Sequence, residues 1–189
     1  MDKFEIIYAD PPWNYKGQRQ HAGSGNADTG GAALHYPTVT LTDLKRLDVA
    51  SMAADDCLLF LWVTNPHLDQ GVDLMRAWGF KWATVGFAWD KQRVNPGFYT
   101  MSQVELCVIG KRGKIPQPRG RRNVRQLVSS MRRAHSQKPD EVRERIEQMF
   151  PTQSKLELFA RQRVDGWSAW GNEIESTVHV PWLTAIGAK

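Results

Sequence analysis

Four consecutive residues near the start of the chain, Asp10-Pro11-Pro12-Trp13, bring a carboxylate, two prolines and an indole to one point. The prolines fix their own φ, remove two backbone donors and push the residue before them into extended backbone. What remains is a stiff corner rich in acceptors, the Asp10 carboxylate and the proline carbonyls, with Trp13 and Tyr15 beside them. Such a corner suits the exocyclic amino group of a nucleobase. Asp10 would accept one of its N–H donors and the Pro11 carbonyl the other, which favours a localised lone pair on the nitrogen. Trp13 or Tyr15 would stack on the base, an interaction of roughly 1–3 kcal/mol. A nitrogen held in this way can attack a sulfonium-borne methyl group in line. The plainer alternative is a rigid strand-to-loop corner with Trp13 packed down.

The elements that must position this corner follow from hydrophobic pattern. Ile6, Ile7 and Tyr8 favour a strand, and the apolar run from Phe4 to Ala9 predicts one buried on both faces. Asp10 then falls at its carboxyl end, where open α/β sheets bind ligands. A short helix follows Thr40, with Leu41, Leu44 and Leu47 on one side. Residues 57–63 read as a second buried strand, ending in Thr64-Asn65-Pro66, a cap followed by a first-turn proline. The helix it opens, over 67–78, carries Leu68, Val72, Leu74, Met75 and Trp78 and stops at Gly79. Residues 81–89 form a further strand that delivers Trp89, 93–103 a loop, and 105–109 a strand beginning at Glu105. A helix from Ser136 or Gln137 to Phe150, a strand over 155–159 and a polar turn over 161–166 complete the pattern. Strand–cap–helix units predict an α/β, doubly wound sheet in one domain spanning 1–189. Residues 16–33 lack any period and form a loop, either a gate over the site or a surface insertion. Residues 172–189 show no clear period.

Composition narrows the function classes. With 189 residues and 41% hydrophobic content, the chain can build one packed core. Cys57 and Cys107 lie in apolar runs and read as buried reduced thiols. The five histidines show no metal-ligand spacing, so no metal is expected. No signal peptide or membrane-length apolar run is visible, which points to a cytoplasmic protein. The net charge of +5 is local. Residues 111–133 hold nine Lys and Arg and no acid; the remainder has 16 basic against 20 acidic residues, net −4. Such a segment, kept irregular by Pro116, Pro118 and Gly120, is expected to follow a phosphate backbone, with Arg119, Arg121 and Arg122 as candidate contacts. A solvated basic face is the alternative.

The Asp-Pro-Pro-Trp motif does not stand alone. With Leu59-Phe60-Leu61-Trp62-Val63, Lys138-Pro139-Asp140-Glu141 and Leu156-Glu157-Leu158-Phe159-Ala160-Arg161 followed by Trp170-Gly171-Asn172, the chain resembles the MT-A family of adenine-N6 methyltransferases, typified by the mRNA adenosine methyltransferase catalytic subunit. The resemblance runs from about Phe4 to Glu173, and four motifs in order make it specific. It implies a Rossmann-like fold of the circularly permuted class, a mostly parallel seven-stranded sheet with helices on both faces. It also implies S-adenosyl-L-methionine as methyl donor and adenine in DNA or RNA as acceptor. By resemblance Asp10, Pro11, Pro12 and Trp13 are catalytic. Tyr15, Tyr36, Trp62, Asn65, Trp89 and Glu105 border the acceptor. Asp10, Lys138, Glu157, Phe159, Arg161, Asn172 and Glu173 bind the cofactor. Two departures stand out. Phe-Ala-Arg replaces the Phe-x-Gly-x-Gly loop of other methyltransferases, and Tyr99-Thr100-Met101-Ser102 replaces a histidine-bearing segment.

Two other functions compete: methylation of a protein glutamine amide, which related Asn-Pro-Pro-Tyr corners perform, and a non-catalytic nucleic-acid-binding subunit. The basic segment argues against the first and the intact acid of the motif against the second. A second copy of the chain or a partner subunit is left open, and no membrane partner is expected.

Overall fold

The computed structural model describes residues 3–13, 39–97, 99–133 and 137–181. Strand β1 (Phe4–Ala9) stands at the middle of a seven-stranded sheet, and its side chains divide between two cores. Ile7 and Ala9 point to one and Ile6 and Tyr8 to the other, as continuous apolar character predicts. β1 pairs with β2 (Ala53–Val63) on one side and with β6 (Lys155–Leu158) on the other, both parallel. Beyond β2 come β4 (Ser102–Arg112), β3 (Lys81–Asn95) and the short β5 (Leu127–Ser129); beyond β6 lies β7 (Ser168–Trp170). Only β4 runs against the rest, so the sheet is mostly parallel.

Helices cover both faces. α1 (Leu41–Lys45) and α2 (Leu68–Ala77) bring Leu44, Leu74 and Met75 to the core that holds Ile7. α3 (Asp140–Met149) brings Val142 and Ile146 to the core that holds Tyr8. α2 sits so close to β2 that a Cβ on Gly71 would lie 2.3 Å from Val63 Cγ1, which explains a glycine inside a helix. α1 is capped by the Thr40 hydroxyl, which accepts from the Asp43 N–H. Thr64 precedes the turn Asn65–His67, but its hydroxyl pairs with His67 Nδ1 at 2.9 Å and caps no backbone N–H there.

Two expectations need correction. β3 does not stop at Trp89 but runs to Asn95, and β4 starts at Ser102, so most of the expected 93–103 loop is the end of a hairpin. The polar sequence Gln92-Arg93 hid a strand end that projects past the core. Within the basic segment, Lys111 and Arg112 end β4 and residues 127–129 form β5, too short to leave a sequence pattern. The expected 16–33 loop lies outside the described residues. Among the described residues no helix is long and apolar enough to cross a membrane, and no cluster of His, Cys, Asp and Glu is placed to hold a metal ion.

Candidate active site

Asp10 leaves the carboxyl end of β1 and meets Lys138, which precedes α3. The Lys138 ammonium lies 2.9 Å from Asp10 Oδ1 and 3.0 Å from Oδ2. It also reaches Glu105 Oε2 on β4 at 3.4 Å, while Lys91 on β3 approaches the other Glu105 oxygen at 3.3 Å. Two acids and two lysines therefore form one cluster across three strands and a helix start. Burial raises the Asp10 pKa, with Lys138 pulling against it. Burial also pushes Glu105 upward, but Lys138 and Lys91 together hold it below the usual carboxylate value.

Beneath this cluster lie aromatic rings. Lys138 Nζ stands 5.5 Å from the Trp62 ring centroid, and the Trp62 indole N–H donates to the Tyr8 hydroxyl at 2.6 Å. Trp89 packs edge-on to Trp62, and its N–H donates to the Ser130 carbonyl. Trp62 and Trp89 are each 1% exposed. They form the floor beneath the Lys138 cluster.

The corner itself is more committed than its sequence implies. The Trp13 N–H donates to the Pro11 carbonyl at 2.8 Å, and Val39 N–H to the Pro12 carbonyl at 3.2 Å. The Pro11 oxygen keeps its second lone pair, so it can still accept. Trp13 is buried, its indole N–H donating to the Trp62 carbonyl at 3.0 Å and its ring stacked on His67. It therefore staples the corner to the end of β2, with its ring packed where a face open to a base was expected. A ring of that size beside two prolines is cheaper to bury than to hydrate. Tyr15 and Tyr36 lie outside the described residues. Asn65 is exposed on the turn after β2.

On the other side of Asp10 a cavity of about 300 Å³ opens between β1, β6 and the start of α3. Asp10, Lys138, Glu157, Phe159, Arg161 and Glu173 all line it, together with Tyr8, Gln137, Asp140, Arg143 and Gln162. Six of the seven expected cofactor residues thus meet on one wall; the seventh, Asn172, is exposed and does not line it. Glu157 on β6 is held by a two-pronged Arg143 guanidinium, Nε to Oε2 at 3.1 Å and Nη2 to Oε1 at 3.2 Å. Burial raises the Glu157 pKa, opposed by Arg143. Arg161 faces Glu173 at 3.7 Å.

After β6 the chain turns sharply. Phe159 adopts φ +62°, a left-handed conformation that non-glycine residues adopt at a cost. Its ring packs edge-on to Trp170 at 5.4 Å. Gly171 lets the two segments touch: a Cβ there would lie 2.0 Å from the Ala160 carbonyl oxygen.

Part of the basic segment packs against the end of α3. Gly120 N–H donates to the Met149 carbonyl and Arg121 N–H to that of Gln148, while Arg119 lies over the Phe150 ring at 5.3 Å. Arg119, Arg121 and Arg122 thus sit at the far end of α3, about 15 Å along the helix from its Asp140 end. Arg133 is the member that reaches the start of the helix, where it pairs with Asp140 at 2.8 Å.

Sequence reasoning missed Tyr8, Lys91, Asp140 and Arg143 as site residues. Tyr8 and Arg143 carried weak signals: a polar atom inside an otherwise apolar strand, and a cation three residues after a first-turn acid.

Residues 4–173 match the MT-A70 family. The chain is 46% identical over 190 residues to the Type II methyltransferase M.MunI of Mycoplasma sp, covering 95% of this chain and 82% of that protein. It is 30% identical over 185 residues to the N(6)-adenosine-methyltransferase MT-A70-like of Arabidopsis thaliana, covering 92% of this chain and 24% of that protein. To the N(6)-adenosine-methyltransferase catalytic subunit METTL3 of Homo sapiens it is 28% identical over 185 residues, covering 93% of this chain and 29% of that protein. The match takes in the Asp10 corner, the Lys138 helix start and the Glu157 wall, and the chain belongs to the MT-A70 family of methyltransferases.

Proposed function

We propose that the chain transfers a methyl group from S-adenosylmethionine to the N6 amino group of adenine in a nucleic acid. The observation that carries this reading is the position of Asp10, on the wall of the 300 Å³ cavity and within the Lys138–Glu105 cluster at once. One carboxylate can thereby face both a donor and an acceptor.

The cavity residues suit that cofactor by chemistry. Phe159 offers an aromatic edge for the adenine ring, Glu157, Asp140 and Glu173 offer acceptors for hydroxyl and ammonium groups, and Arg161 and Lys138 offer cations for a carboxylate. When bound, the cofactor supplies an electrophilic methyl group on a sulfonium. The chain's own residues act on the base. Asp10 accepts one amino N–H and the free lone pair of the Pro11 carbonyl accepts the other, fixing the nitrogen's direction and withdrawing its lone pair from the ring. Lys138 must then yield the Asp10 oxygens, and Glu105 is the carboxylate within its reach. The proton that the amino nitrogen sheds passes to the Asp10 oxygen that holds it. Trp62, Trp89 and Tyr8 exclude water from below.

The test is to incubate DNA and RNA separately with enzyme and labelled cofactor, digest to nucleosides and identify the product. Label in N6-methyladenosine or its deoxy form is expected. Label in another base, in the protein, or nowhere would overturn the reading.

A further inference from the structure

The β3–β4 hairpin does not end at the catalytic edge. Trp89 pairs with Glu105, the acid that Lys138 touches, and pairing resumes at Asn95 with Ser102. The ribbon thus continues past the site by three to six residues per strand, roughly 10–20 Å at 3.3 Å per residue. Its base is tied: the Asp90 carboxylate accepts from the Gln92 N–H at 2.9 Å and from the Gln103 amide at 2.7 Å. Gly97 and Thr100 lie close together, since a Cβ on Gly97 would meet the Thr100 carbonyl oxygen at 2.3 Å.

The tip carries side chains that water does not favour. Tyr99 is fully exposed at 101%, Met101 is 59% exposed and Val94 50%. Met131, 73% exposed, follows β5, which pairs alongside β3. The surroundings are cationic. Lys91 is buried against Glu105, but residues 92–103 contain the exposed Arg93 and no acid, and the exposed Arg132 follows Met131. An apolar tip on a braced ribbon that carries an exposed arginine matches the apolar wedges that enter a base stack while cations hold the phosphates.

We propose that this tip is a wedge for duplex DNA: Tyr99 enters the stack where a flipped adenine leaves a gap, and Arg93 and Arg132 hold the flanking phosphates. The inference rests on the adenine-methylating reading and deepens it. An enzyme that must turn a base out of a helix has to offset lost stacking, and a ring of similar area in the vacated space does so. A single strand makes no such demand.

The experiment compares methylation of sheared genomic DNA, native or heat-denatured and chilled, with tritiated S-adenosylmethionine. For Tyr99→Ala the ratio of duplex to denatured activity should fall roughly tenfold relative to the unmodified enzyme. Tyr99→Trp, which keeps a large ring, should hold that ratio within about twofold. Thermal unfolding reports the fold, which a fully exposed side chain should not affect. Equal loss on both DNA forms, or no loss on duplex, overturns the wedge. So does a sedimentation result in which Tyr99→Ala splits an oligomer while the ratio stays unchanged, which would assign the tip to a second copy. An unmodified enzyme active only on denatured DNA or RNA overturns the wedge and leaves adenine methylation standing; one that methylates no nucleic acid overturns both.

Discussion

Lys138 grips both oxygens of Asp10, at 2.9 and 3.0 Å, across 128 positions of sequence. The same contact has two opposite effects on the site. It opposes the protonation that burial favours at this carboxylate, and it occupies the oxygens that an amino group needs. Glu105, also within reach of Lys138, resolves the conflict by giving the ammonium somewhere to go. The corner is held in reserve by its own counter-ion.

Asp10→Ala should lower kcat by about 10³-fold or more, because the acceptor aimed at the amino group is lost. Binding of S-adenosylmethionine, measured by calorimetry, should weaken only a few-fold, since ten other residues line the cavity. Full turnover in this variant would remove Asp10 from the mechanism.

Lys138→Met should move the acid limb of the kcat/KM profile to higher pH. Asp10 already titrates above its ordinary value through burial, and removing the opposing cation raises it further. The stability effect of Glu105 has the opposite sign. Its folded pKa lies below the unfolded value, so its stabilisation is present above the unfolded pKa and is lost as pH falls through the folded one. Denaturant unfolding between neutral and acid pH should therefore show a shallower acid loss in Glu105→Gln than in the parent.

Trp13→Ala should destabilise the fold by roughly 3–5 kcal/mol, the range for deleting a buried large aromatic. Trp13→Phe should cost about 1–3 kcal/mol, because it leaves the Trp62 carbonyl without its donor. Urea titrations distinguish this from a surface stacking role, which would spare stability and raise KM alone.

Arg93→Ala with Arg132→Ala should reduce the slope of log K against log salt for DNA binding by roughly two, about one per phosphate contact. Alanines at Arg119, Arg121 and Arg122 should change it less, because those residues pack at the far end of α3. A larger effect from the second set would place the polymer across the back of the helix.

What could be read from the sequence depended on the range of the forces involved. β1, β2 and α2 announced themselves because burial on both faces, or on one stripe, leaves an unbroken local pattern. Six residues that line one cavity could be named from motifs, although their meeting point is a product of β1–β6 pairing. The burial of Trp13 was not legible: an indole beside a polar corner reads equally well as a stacking surface, and only the Trp62 carbonyl 49 positions on decides. The packing of Arg119 and Arg121 at the far end of α3 was hidden for the same reason. Charge density is local information, while the edge of the sheet on which a charge falls depends on the path of the whole chain.

The central strand has one more consequence, for the way the protein comes into being. β1 is made well before β6, yet one of its two edges is closed by that strand, whose residue 155 pairs with residue 6. Until the last third is synthesised, an apolar strand waits with an open edge, the kind of surface that recruits neighbouring chains. Closing so long a loop also makes folding slow. A nascent or truncated chain that ends before β6 is therefore expected to need a chaperone, and the reactive corner cannot assemble ahead of the wall that would bind its methyl donor.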